Sequence, residues 1–309
     1  VEALSGTPEG AGGGAQAERK PPGGVSPGAP GARRAARWRY AVPNAITLAG
    51  LLIGLLATFR AMQGRTEEAG WLIILTVLLD KLDGSAARVL RATSKIGVQL
   101  DSFADFVNFG IAPGALLFAT LHGGELGVAG AGGALPPAAV EASASWQGSL
   151  TGPLLYAASA IYVLSACVRL AKFNVLTFTA TGPRVFYGVP STLVGGTMAL
   201  MFILGVRYDS PGLLTWTPAL AVLLAALMLS NIPLPKVGKT RSRMVNVWQL
   251  VNGPLSYVAG VLRIWPEYLL AMVVIYLAGG LGWGLIHRRE LMPTRSLDVY
   301  PDTPEDADP

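Results

Sequence analysis

Eight apolar runs, each near twenty residues long, constrain this chain more than any other feature. They fall at about 43–62, 70–90, 98–121, 153–175, 189–206, 214–232, 247–263 and 267–286. A helix of roughly 20 apolar residues spans the hydrocarbon core of a bilayer, and inside that core a helix satisfies its own backbone. Only 14% of the 309 residues are charged, against roughly a quarter in a soluble domain. The expected fold class is an all-α polytopic membrane protein with about eight transmembrane helices. The run at 247–263 is the shortest and contains Gly253 and Pro254. Whether it spans decides the side on which the C-terminus lies.

Basic residues in short loops stay on the cytoplasmic side. With the N-terminus inside, the basic clusters at 33–39, 88–95, 169–184, 236–243 and 288–295 share that side, whereas only Arg60, Arg65, Arg207 and Arg263 lie opposite. The net charge of +5 therefore follows from topology and anionic headgroups, and no nucleic-acid partner is expected. Residues 1–36 are rich in Gly, Ala and Pro and are expected to form a disordered cytoplasmic tail. Residues 37–288 then make the membrane-embedded domain and 289–309 a cytoplasmic C-terminal tail. The connection at 122–152 is expected to be structureless, and Cys167, alone in an apolar run, to serve packing.

The segment "LLDKLDGSAARVLRATSKIGVQLDSFADFVNFG", residues 78–110, places four aspartates in otherwise apolar helices. A charge at mid-bilayer costs ~3 kcal/mol or more, so Asp80, Asp83, Asp101 and Asp105 need compensation. At about 100° per residue, Asp80, Asp83, Gly84 and Ala87 occupy one face about 100° wide. In the next helix Gly97, Asp101 and Asp105 follow at four-residue spacing, with Asn108 three further on. The short turn between makes the two helices antiparallel neighbours. Four converging carboxylates cannot all ionise without counter-charge. Oxygen donors without His or Cys suit Mg2+ or Mn2+, which keep water or substrate phosphate among their ligands. Gly84, Ala87 and Gly97 leave room for a large ligand, and Arg88 at the cytoplasmic edge is placed to meet a phosphate. Such a site suits phosphoryl transfer.

These residues resemble a known signature. Asp80, Asp83, Gly84, Ala87, Arg88, Gly97, Asp101 and Asp105, at their spacing, match that of the CDP-alcohol phosphotransferase family. The resemblance implies that family's helical bundle, with Asp80, Asp83 and Asp101 holding a pair of divalent ions. Asp105 is then both a further ligand and the catalytic general base. It also implies that Asp80, Gly84, Ala87, Arg88 and Gly97 shape the CDP pocket, and that the protein is a homodimer.

Further segments, "PNAITLAGLLIGLLA", "VRLAKFNV", "FYGVPSTLVGG" and "LMLSNIPLPK", resemble the phosphatidylserine synthase branch, and the likeness covers about residues 40–286. It implies CDP-diacylglycerol and L-serine as substrates, membrane lipids as surroundings, and a bacterial inner membrane with the site facing the cytoplasm. Arg169, Lys172 and Asn174, near the cytoplasmic end of the fourth run, are candidates to bind the acceptor or a phosphate. Choline, inositol phosphate or glycerol phosphate are alternative acceptors. A divalent cation transporter is the alternative from another class.

Overall fold

The computed structural model describes residues 30–90, 95–123, 135–179, 185–235 and 242–291. Chain contacts divide the molecule into Val1–Trp38 and Arg39–Pro309. Of the first unit only the opening turns of one helix fall among the described residues, and the tails expected at 1–36 and 289–309 lie largely outside them.

A helix stands in each of the eight expected places. Helix α1 (Pro30–Met62) turns at Gly64, whose φ of 75° a glycine adopts without strain, into α2 (Thr66–Leu90). After it, α3 (Lys95–Phe106) passes through a π-helical turn (Val107–Ile111) into α4 (Ala112–Leu121). There follow α5 (Pro137–Ala144), α6 (Thr151–Thr179), α7 (Ser191–Arg207), α8 (Pro211–Thr215), α9 (Thr217–Leu229), α10 (Arg243–Leu262) and α11 (Pro266–Leu291).

Among the described residues, four segments are long and apolar enough to cross a membrane: Ala41–Met62, Ile96–Leu121, Thr151–Asn174 and Pro266–His287. Helices α7 and α9 are apolar but shorter, and α2 carries Asp80, Lys81 and Asp83 within its apolar run. Helix α10 continues through Pro254, while Val247, Leu250, Val258 and Val261 are exposed along it. Exposed apolar side chains on this scale suit a lipid solvent. The molecule is an all-α, polytopic integral membrane protein.

The core is largely aliphatic and lies among α2, α4, α6, α7, α8 and α9, with Ile73, Leu116, Leu117, Met198, Phe202, Ile203 and Leu214 buried together. In a bilayer such contacts hold helices through close packing more than through exclusion of water. One pair of buried hydroxyls meets across it: Thr66 and Thr120 are hydrogen-bonded at 3.1 Å.

Three local expectations change. The 122–152 connection contains helix α5, because Ala138, Ala139 and Ala142 present a small apolar face that is buried against the bundle. A short antiparallel ladder pairs β1 (Val185–Tyr187) with β2 (Pro233–Pro235), Phe186 opposite Leu234, since the "PLP" triplet cannot continue α9 as a helix. Cys167 is exposed on the surface of α6 rather than packed inside.

Candidate active site

The site is built where α2 and α3 lie side by side. Asp80, Asp101 and Asp105 each direct one carboxylate oxygen into a group whose members all lie within 4.8 Å of one another. Asp80 and Asp105 are within hydrogen-bonding reach of each other. The four-residue step from Asp101 to Asp105 stacks both on one face of α3, so a single neighbouring face of α2 meets both. The turn 91–94 that joins the helices lies outside the described residues.

Asp83 stands apart from that group. It is 6% exposed, and its Oδ2 lies 2.8 Å from Thr47 Oγ1 of α1. Three residues past Asp80, its side chain is rotated by about 60° on the helix. That rotation turns it toward α1 while keeping it within the electrostatic range of Asp80 and Asp101. The expectation that four carboxylates converge is thus met by three, with the fourth anchored by a hydroxyl beside them.

Helix α1 reaches this position through glycine. A Cβ on Gly54 would lie 2.0 Å from Asn108 Oδ1, so only a residue without a side chain permits the approach. Gly84 is different. A Cβ there meets, among the described residues, only Arg88 Nη1, at 3.6 Å, so none of the described helices fills the space beside it. Arg88 is exposed and donates to Ser85 Oγ at 3.1 Å. Ala87 lies on the same side of α2, half-buried, and Gly97 lies in the first turns of α3.

Arg169 of α6 is 7% exposed and donates from Nη1 to Ser191 Oγ, at the start of α7, at 2.7 Å. Its charge acts on Asp105 and Asp80. Its Nε is buried with no hydrogen-bond partner, which leaves one donor of a buried guanidinium beside the carboxylates unused. Lys172 donates instead to Asn231 Oδ1, and Asn174 Nδ2 donates to Ser102 Oγ at 3.1 Å, next to Asp101. The three acceptor candidates therefore separate: Arg169 is buried within electrostatic range of Asp80 and Asp105, Asn174 braces α3, and Lys172 ties α6 to the segment before β2.

Thr47, Ser191 and Tyr257 had no role in the sequence reading. Pro43, Thr47, Gly50 and Gly54 share one helical face, a spacing that marks Thr47 as inward. Tyr257 of α10 donates to the Leu78 carbonyl at 3.3 Å and lies close enough to Asp80 and Asp83 to interact with their charges.

Among the described residues the ion pairs are Arg60–Glu68 and Arg65–Glu68, so no lysine or arginine pairs directly with the three clustered carboxylates. Hard oxygen donors gathered at this depth without a paired cation fit a divalent ion. Fold and site together define a polytopic membrane protein with a clustered acidic centre suited to phosphate chemistry.

Comparison with known sequences gives the family. The chain belongs to the CDP-alcohol phosphatidyltransferase family, whose model matches residues 40–232. The match spans α1 to α9, including every residue of the acidic signature, and makes the protein a transferase rather than a divalent cation transporter. The CDP-diacylglycerol–serine O-phosphatidyltransferase of Helicobacter pylori is 30% identical over 204 residues, 65% of this chain and 75% of that protein. The Mycobacterium leprae protein of the same name is 30% identical over 217 residues, 67% of this chain and 62% of that one. An archaetidylserine synthase of Methanothermobacter thermautotrophicus is 27% identical over 202 residues, covering 64% and 70%.

Proposed function

We propose that this protein transfers a phosphatidyl group from CDP-diacylglycerol to L-serine, giving phosphatidylserine and CMP. The observation that carries the reading is the clustering of Asp80, Asp101 and Asp105, with the buried guanidinium of Arg169 within electrostatic range of two of them. Similar proteins named for serine as acceptor support the choice of alcohol.

In this mechanism Asp105 accepts the proton of the serine hydroxyl. The hydroxyl oxygen forms a new bond to the phosphorus that bears the diacylglycerol, and the bridging P–O bond to CMP breaks. Asp80, Asp83, Asp101 and Asp105 would hold two Mg2+ or Mn2+ ions, Asp83 oriented by Thr47. Such ions supply polarisation of the phosphoryl oxygens and neutralise developing charge. Asp80, Gly84, Ala87, Arg88 and Gly97 form the CDP pocket, a role that the open space beside Gly84 supports. Arg169 holds a carboxylate or phosphate, for which its planar fork of donors is suited. Asn174 and Lys172 shape the rim.

The basic residues near this end of the helices support a cytoplasmic site, where nucleotide and serine arrive from water and diacylglycerol from lipid. A bacterial inner membrane and a homodimer accord with the family resemblance. Mass measurement in detergent tests the homodimer.

The functional test is CMP release by purified protein given CDP-diacylglycerol and Mn2+ or Mg2+, with serine, choline, inositol phosphate and glycerol phosphate offered separately. Serine-dependent release that disappears in Asp105→Asn supports the reading. Release with another alcohol keeps the chemistry and replaces the acceptor.

A further inference from the structure

The helix that carries Asp101 and Asp105 is not a regular α-helix. Immediately after Asp105 it makes the π-turn Val107–Ile111, in which the Ala112 N–H closes on the Val107 carbonyl five residues back. Two residues further lies Pro113, which leaves a carbonyl at the end of the turn without its helical donor. In an α-helix the N–H of residue 113 would bond the Phe109 carbonyl, and proline has none. In lipid an unsatisfied carbonyl is costly, so a π-turn at this depth needs an outside donor.

That donor is Tyr162. Its side chain is fully buried, and its hydroxyl donates to the Phe109 carbonyl at 2.8 Å. Close packing on both sides holds the turn. A Cβ on Gly114 would lie 2.5 Å from Val163 Cγ2, and one on Gly195 would lie 3.1 Å from Phe109 Cα. Helices α6 and α7 therefore press directly on the π-turn.

The turn sets an angle. One extra residue in a helical turn rotates everything on one side by about 100° relative to a continuous α-helix. On the far side is α4, fixed in the core through Leu116, Leu117 and Leu121. On the near side are Asp101 and Asp105. Ser159, Tyr162, Ala166 and Arg169 form one buried stripe of α6, so the helix that holds the turn also carries the guanidinium beside Asp105.

We infer that Tyr162 is a positioning residue: by supplying the donor that Pro113 removes from Phe109, it fixes the π-turn that aims Asp101 and Asp105 at Asp80. The inference deepens the phosphoryl-transfer reading and rests on it for its effect on turnover. Its effect on cation binding can be measured without any substrate.

The test compares the full-length wild type with Tyr162→Phe and with the double variant Tyr162→Phe/Pro113→Ala, purified in detergent. Mn2+ binding is read by electron paramagnetic resonance and CMP release by kinetics. Tyr162→Phe is expected to weaken Mn2+ binding by about tenfold, the scale seen when a group supporting metal ligands is lost. It should lower kcat similarly and leave KM for serine within about twofold. The double variant restores an N–H at residue 113 and is expected to recover most of both losses. Unchanged Mn2+ affinity in Tyr162→Phe overturns the inference, as does a loss that Pro113→Ala does not repair. If Tyr162→Phe does not fold, recovery of a folded, Mn2+-binding double variant supports the inference and continued misfolding overturns it. A wild type that binds Mn2+ but releases no CMP with any alcohol removes the proposed reaction, while the Mn2+ comparison still decides the role of Tyr162.

Discussion

Thr47 Oγ1 lies 2.8 Å from Asp83 Oδ2, joining α1 to α2 at the edge of the acidic cluster. Both residues are 6% exposed, and the Thr47 hydroxyl also lies 3.1 Å from the Pro43 carbonyl of its own helix. Thr47→Val keeps the shape and removes the donor, leaving a buried carboxylate short of one bond at a cost of ~1–3 kcal/mol. The variant is expected to show a lower thermal midpoint and at least about tenfold slower CMP release. Thr47→Ser should retain most of both. Equal behaviour of the valine and serine variants would show that the hydroxyl is unimportant.

Gly84 and Gly54 are expected to respond differently to an added side chain. Among the described residues the space beside Gly84 meets only Arg88 within 4 Å, so Gly84→Leu should fold and melt like the wild type while losing CDP-diacylglycerol binding. Gly54→Leu drives a side chain into Asn108 Oδ1 and should cost stability first, of the order of 1–3 kcal/mol for overpacking. Thermal melts together with ligand binding separate the two.

Arg169 combines a bond to Ser191 Oγ with an unused Nε donor. Lysine offers a point charge and cannot reproduce both directions. Arg169→Lys is therefore expected to raise KM for serine or for the CDP-lipid by at least about tenfold, and Ser191→Ala by less. Steady-state kinetics with each substrate varied in turn shows which ligand the guanidinium holds.

Removal of divalent cations should abolish CMP release, and Mn2+ or Mg2+ should restore it, because Asp80, Asp101 and Asp105 gather without a paired cation. Asp101→Asn removes one ligand charge and is expected to require at least about tenfold more cation for half-maximal rate. A cation dependence identical to that of the wild type would exclude Asp101 as a ligand.

Much of this was legible in one dimension. Apolar runs of spanning length gave the helices, because in lipid the backbone has no other partner than itself. The spacing of Asp80, Asp83, Gly84 and Ala87, and of Gly97, Asp101 and Asp105, gave two faces, because helical periodicity decides which residues of one helix point the same way. What a face meets is a different question, decided by how neighbouring helices cross. That is why Asp83 turns to Thr47 while its three companions gather, and why Arg169 enters the site while Lys172, one turn on, bonds Asn231. It is also why the Phe109 carbonyl, which Pro113 leaves without a helical donor, is satisfied by Tyr162, 53 residues away from Phe109 in sequence. The missing donor is a property of the chain; the group that replaces it is set by the rotation and depth at which α6 packs.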